Sequence, residues 1–96
     1  MDTRQLSARS DVFAKAVLER LPEFVVSSDL VRDDIEAGEY YTSLLDIILD
    51  DRYSQYVPID IATDLSEIVS EYPHGFYRQV GEKALKSIAI FCNHLK

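Results

Sequence analysis

Pro22, Gly38, Pro58 and the run Pro73-His74-Gly75 cut this chain into segments of helical length, and within the segments apolar residues return at steps of three and four. Such steps gather side chains on one face of a helix. No segment carries the strict alternation of a half-buried strand, and none repeats at the period of a solenoid. The pattern therefore predicts an all-α fold, an irregular bundle of four to five short helices, with residues 1–96 as a single helical domain. Ninety-six residues at 47% hydrophobic content suffice for one modest core and not for two. Three glycines, three prolines and a charged fraction of 28% describe an ordered chain and not a disordered tail.

Ser10 reads as the N-cap of a first helix running to Arg20, with Asp11 near its positive end and Phe13, Ala16 and Val17 inward; Leu6 and Val12 could extend it upstream. Pro22 ends it. "VVSS" reads as a β-branched, turn-prone connection. Ser28 then caps a short second helix with Leu30, Val31 and Ile35 on one side and Gly38 as its left-handed stop. A third helix starts at Glu39 and turns Tyr41, Leu44, Leu45 and Ile48 inward. "DRYSQYVP" reads as a loop. Pro58 opens a fourth helix that buries Ile61, Leu65, Ile68, Val69 and Tyr72. The last helix places Tyr77, Val80, Ala84, Leu85, Ile88 and Phe91 inward; Gly81 weakens it by about 1 kcal/mol relative to alanine, which suggests a close helix approach there.

Charge is spread unevenly. The formal net charge is −7, yet residues 29–71 hold twelve acids against Arg32 and Arg52, and the remainder of the chain is basic. A field of this sign repels nucleic acid and anionic lipid and speeds encounter with a basic protein. On the fourth helix Asp60, Asp64, Glu67 and Glu71 follow one another at steps of four, three and four, and their mutual repulsion costs about 1 kcal/mol at low salt. Asp46 with Asp50, and Asp33 with Glu36, repeat the arrangement on the third and second helices, with no lysine interleaved. A surface kept acidic at this cost suits a cationic partner, although a charged face is more often simply a solvated one. The candidate partner-binding residues are Asp46, Asp50, Asp51, Asp60, Asp64 and Glu67, with Tyr53 and Tyr56 as aromatic anchors between the acidic segments. Tyr40, off the main apolar stripe, is a further exposed candidate.

Other chemistries find little footing. Cys92 and His94 lie two apart on a helix and point in different directions, and His74 sits in a turn, so no metal is expected. The acids lack the spacing of a calcium loop. Cys92 follows "SIAIF" and reads as a small hydrophobe. No phosphate-binding glycine loop or nucleophile elbow occurs, so no catalysis and no cofactor are expected. One cysteine, no long apolar run and a polar start predict a cytoplasmic protein without a membrane span or a direct nucleic-acid partner.

"LERLP" followed by "VRDDIEAGEYYTSLLDIILDDRYSQYVPIDIATDLSEIV" resembles the small helical immunity proteins of bacterial polymorphic toxin and contact-dependent growth inhibition systems, in particular those described as MafI-like. The shared pattern is a short helix ending in Gly38-Glu39-Tyr40, an apolar helix with Leu44, Leu45, Ile47 and Ile48, an acidic loop, Pro58, and an acidic helix with Glu67-Ile68. It spans Leu18 to Tyr72. The resemblance implies an antitoxin that binds one cognate toxin C-terminal domain, an EndoU-like or other ribonuclease, and blocks it. A helical interaction or oligomerisation module, homo-oligomeric through its apolar surface, is the competing expectation; it should be insensitive to salt where an electrostatically steered inhibitor is not.

Overall fold

The most apolar segment, "YYTSLLDIIL", becomes the centre of the molecule. The structure, a computed structural model, describes residues 3–94, and the side chains of residues 4–88. Six α-helices run through the described residues: α1 (Thr3–Leu18), α2 (Glu23–Val26), α3 (Arg32–Glu36), α4 (Tyr40–Leu49), α5 (Ala62–Glu71) and α6 (Phe76–His94), with single 3-10 turns at Ser54–Tyr56 and Ile59–Ile61. No strand occurs among these residues, and the all-α class holds.

Helix α4 packs on α1, α3 and α6, while α5 packs on α1 and α6 from the other side. The four longer helices thus close a ring in which α4 and α5 each touch both α1 and α6. Contact on three sides explains why Leu44, Ile47 and Ile48 of α4 are all fully buried and why the helix has almost no polar face. Each such side chain contributes about 1.5 to 3 kcal/mol of transfer free energy. Other helices also finish the ends of α4. The Asp11 carboxylate on α1 accepts the Tyr41 N–H at 3.1 Å, and the Ser87 hydroxyl on α6 donates to the Ile48 carbonyl at 3.3 Å. These bonds satisfy groups that a helix leaves open at its termini.

Several sequence expectations need correction. Helix α1 begins at Thr3, and Ser10 is a core residue in mid-helix. Its hydroxyl donates to the Leu6 carbonyl at 2.8 Å and, with its only proton committed there, accepts from the Tyr72 hydroxyl at 2.9 Å. Counting Ser10 as apolar moves the inward stripe to Leu6, Ser10, Ala14, Val17, Leu18 and Leu21; Val12 and Ala16 face outward and Phe13 is half-buried. "VVSS" is not an irregular connection. Pro22 stops α1 but, at φ −59, leads directly into α2, and burial of Val25 outweighs its β-branched preference. Ser28 donates to the Val25 carbonyl instead of capping α3.

Other expectations survive. Gly38 ends the α3 turn at φ 81, in the left-handed region. The residues that the spacing selects on α4 and α5 are inward, with Tyr72 half-buried, but Ser43 and Ile47 of α4, which it did not select, are fully buried too because α4 is enclosed on three sides. Gly81 is a point of close approach, since a Cβ placed there would lie 2.7 Å from Val69 Cγ2 on α5. Along α6, Ala84 and Ile88 are buried, whereas Tyr77 is 61% exposed because it sits in the first turn, beyond the end of α5. Phe91, Cys92 and His94 fall outside the residues whose side chains are described.

Candidate protein-binding surface

Two contacts fold the stretch after α1 against the stretch before α5. Arg20 Nη2 meets Asp60 Oδ2 at 3.1 Å, and the Phe24 ring meets the Tyr56 ring edge-to-face at 5.1 Å. Residues 20–24 therefore run beside residues 56–60. Phe24 is 54% exposed, Tyr56 39% and Ile59 45%. With Val25 facing the core in so short a helix, Phe24 is turned about 100° away from it, which leaves the larger side chain outside. Glu23 adjoins Phe24 in sequence, Asp60 is held by Arg20, Asp64 lies beside that pair and Asp51 is on the loop before Tyr56; all four acids are exposed. Apolar rings at the centre with charge around them is the anatomy of a protein-binding patch.

The loop that carries Tyr56 is held by a local clasp. Asp50 ends α4 in an extended conformation, and its carboxylate accepts the Arg52 backbone N–H at 2.8 Å and two guanidinium bonds at 3.1 and 2.9 Å. Arg52 holds the Asp50 carboxyl below its usual range, chiefly through these side-chain hydrogen bonds. The same guanidinium lies over the Tyr53 ring, 4.9 Å from its centroid. Tyr53 is half-buried against the core and 6.5 Å from Phe24, so it backs the patch while Tyr56 presents it.

The acidic stripe of α5 is less unbalanced than its own helix suggests. Arg9 on α1 reaches Glu71 at 2.6 Å and Glu67 at 3.9 Å, and Arg20 reaches Asp60. The counter-charges come from sequence positions far upstream, so no inspection of α5 alone could find them. Asp50, Asp60 and Glu67 are therefore paired within the chain, whereas Asp51 and Asp64 have no ion-pair partner among the described residues. The internal pairs are exposed and worth little individually, so a stronger cationic partner could replace them. Asp46 stands apart: it is half-buried on α4, and burial first, then the nearby Asp34 carboxylate, push its pKa up. Tyr40 is half-buried under Lys15, whose Nζ lies 5.7 Å from the ring centroid.

Of the eight residues selected from sequence, the fold brings Tyr53 and Tyr56 onto Phe24 and Asp60 onto Arg20, with Asp64 beside Arg20 and Asp60 and with Asp50 and Asp51 on the supporting loop. Glu67 lies a turn further along α5 beside Arg9, and Asp46 faces α3. Phe24 and Glu23 were not selected. The signal that could have found Phe24 is its place directly between an acid and a buried valine after a helix-stopping proline.

The sequence matches no protein family, no curated protein and no solved structure. Among the described residues, no three His, Cys, Asp or Glu side chains gather as a metal site, and no helix is long and apolar enough to cross a membrane.

Proposed function

We propose that this chain is an immunity protein that binds and neutralises a cognate toxin domain, a basic nuclease, through the Phe24–Tyr56 surface. The observation that carries the reading is the pairing of exposed aromatic rings with a largely acidic rim on one short stretch of surface. A nuclease site must attract phosphate and is therefore basic, so an acidic surface accelerates the encounter and opposes dissociation. Phe24 and Tyr56 supply the buried anchors, and Asp51, Asp60 and Asp64 supply the complementary charge; Asp50 and Arg52 hold the loop in place. Bound there, the protein occupies the entrance that the nucleic-acid substrate needs.

The resemblance to toxin immunity proteins and the overall charge support the same reading. The test is growth of cells co-expressing the chain with the basic toxin domain encoded beside it. The wild type should restore growth, and the Phe24→Ala, Tyr56→Ala double variant should not while retaining its helical content. Full protection by a folded double variant, or a neighbouring gene that encodes no toxin, would overturn the proposal.

A further inference from the structure

A second concavity lies away from that surface, among the start of α1, the N-terminus of α4 and the α5–α6 turn. Its volume is about 470 Å³. Tyr72, Phe76 and Tyr77 form one wall, with ring centroids 6.3 Å apart for Tyr72 and Tyr77 and 5.7 Å apart for Phe76 and Tyr77. Phe76 is 73% exposed, the highest value among the large apolar residues described. Asp11 and Glu39 line the same space, as does His74, and no lysine or arginine does. Neither carboxylate has an ion-pair partner among the described residues, although Asp11 accepts the Tyr41 N–H. Two basic residues of the neighbouring helices are engaged elsewhere: Arg9 with Glu71 and Glu67, and Arg78 with Glu82 and the Tyr72 carbonyl.

Aromatic faces that share a space with carboxylates are complementary to an organic cation, because ring quadrupoles and negative charge attract the same group. We propose that this groove receives an arginine or lysine side chain from an extended basic segment of a partner protein. The cation would sit against the Tyr72 and Tyr77 rings with Glu39 lining the same space, and Phe76 would pack on the aliphatic stem of the same side chain. The space exceeds that of one side chain, which leaves room for the flanking backbone. This inference is independent of the toxin-binding proposal, since it uses none of the same residues.

The test is an NMR titration of the whole chain with acetyl-Gly-Arg-Gly-amide, its lysine counterpart and its citrulline counterpart. The arginine and lysine peptides should produce saturable shifts at residues 39–42 and 72–77, and the citrulline peptide, similar in shape but uncharged, should not. Glu39→Gln should weaken arginine-peptide binding by about threefold, and Tyr77→Ala by about two- to fivefold. Both residues are exposed, so neither change should unfold the protein, and the spectrum itself reports folding. Absence of saturable shifts, or equal binding of the citrulline peptide, would overturn the proposal. So would a dimer in sedimentation velocity that Phe76→Ser abolishes, because a second copy would then cover this face.

Discussion

Gly81→Ala should destabilise the protein in one background and stabilise it in another, and the reversal tests the α5–α6 contact directly. A helix-interior alanine gains about 1 kcal/mol over glycine. Its Cβ would, however, lie 2.7 Å from Val69 Cγ2 and 3.2 Å from Cγ1. Favourable carbon contacts lie at about 3.5 to 4.0 Å, so one helix must move by most of an ångström or Val69 must leave its rotamer. Val69 is buried and β-branched, so it yields poorly. Overpacking of this kind costs about 1 to 3 kcal/mol, which outweighs the propensity gain and leaves a net loss of about 1 kcal/mol. In a chain of this size that lowers Tm by about 4 to 8 °C. Val69→Ala removes both obstructing methyls and, through lost burial, costs about 2 kcal/mol alone. Adding Gly81→Ala to it should then recover about 1 kcal/mol by propensity and by filling part of the space. Urea unfolding of the four proteins, followed by circular dichroism at 222 nm, measures the cycle. Stabilisation by Gly81→Ala in both backgrounds would show that the helices do not approach at this point.

Three further outcomes follow from individual groups. Tyr41 is buried with a hydroxyl that lacks a hydrogen-bond partner among the described residues, so Tyr41→Phe should leave stability unchanged or raise it by up to about 1 kcal/mol, and a large loss in urea unfolding would reveal a hidden partner. Gly38 has φ 81 with open space where a Cβ would go, so the cost of replacement is in the backbone alone: Gly38→Val should lose more than about 1 kcal/mol and Gly38→Asn distinctly less, and equal losses would argue against the left-handed turn. Burial raises the Asp46 pKa above 3.8, so the native state binds this proton more tightly than the unfolded chain and loses stability as pH rises through the raised value. Asp46→Asn should therefore raise Tm at neutral pH, with the gain shrinking as pH falls through the Asp46 pKa; a gain that does not change with pH would assign it to something other than ionisation.

Legibility from sequence tracked the distance over which each interaction acts. The main inward faces of α4 and α5 and the Gly38 stop were readable because they depend on residues within a turn or two, and the Gly81 approach because a glycine inside a helical run is itself a local mark of close packing. Ser10 was misread as a cap because its core position is settled by Tyr72, which arrives from the far end of α5. Helix α2 was missed because four residues cannot show a period, and its existence rests on Val25 reaching the core. The pairing of Arg9 and Arg20 with the α5 carboxylates had no local trace at all, which is why the acidic stripe looked wholly unmatched. For the candidate surface, the tyrosine-bearing loop was legible from composition, whereas Phe24, its most exposed ring, needed the three-dimensional path of residues 20–24.

Affinity of the purified chain for the proposed basic toxin domain, compared between the wild type and the Phe24→Ala, Tyr56→Ala variant, bears most directly on whether this patch holds a basic partner. Loss of two central aromatic anchors should weaken the complex by about 100-fold or more, mainly through faster dissociation, with helical content unchanged. Equal affinity of the two proteins at physiological salt would contradict the account.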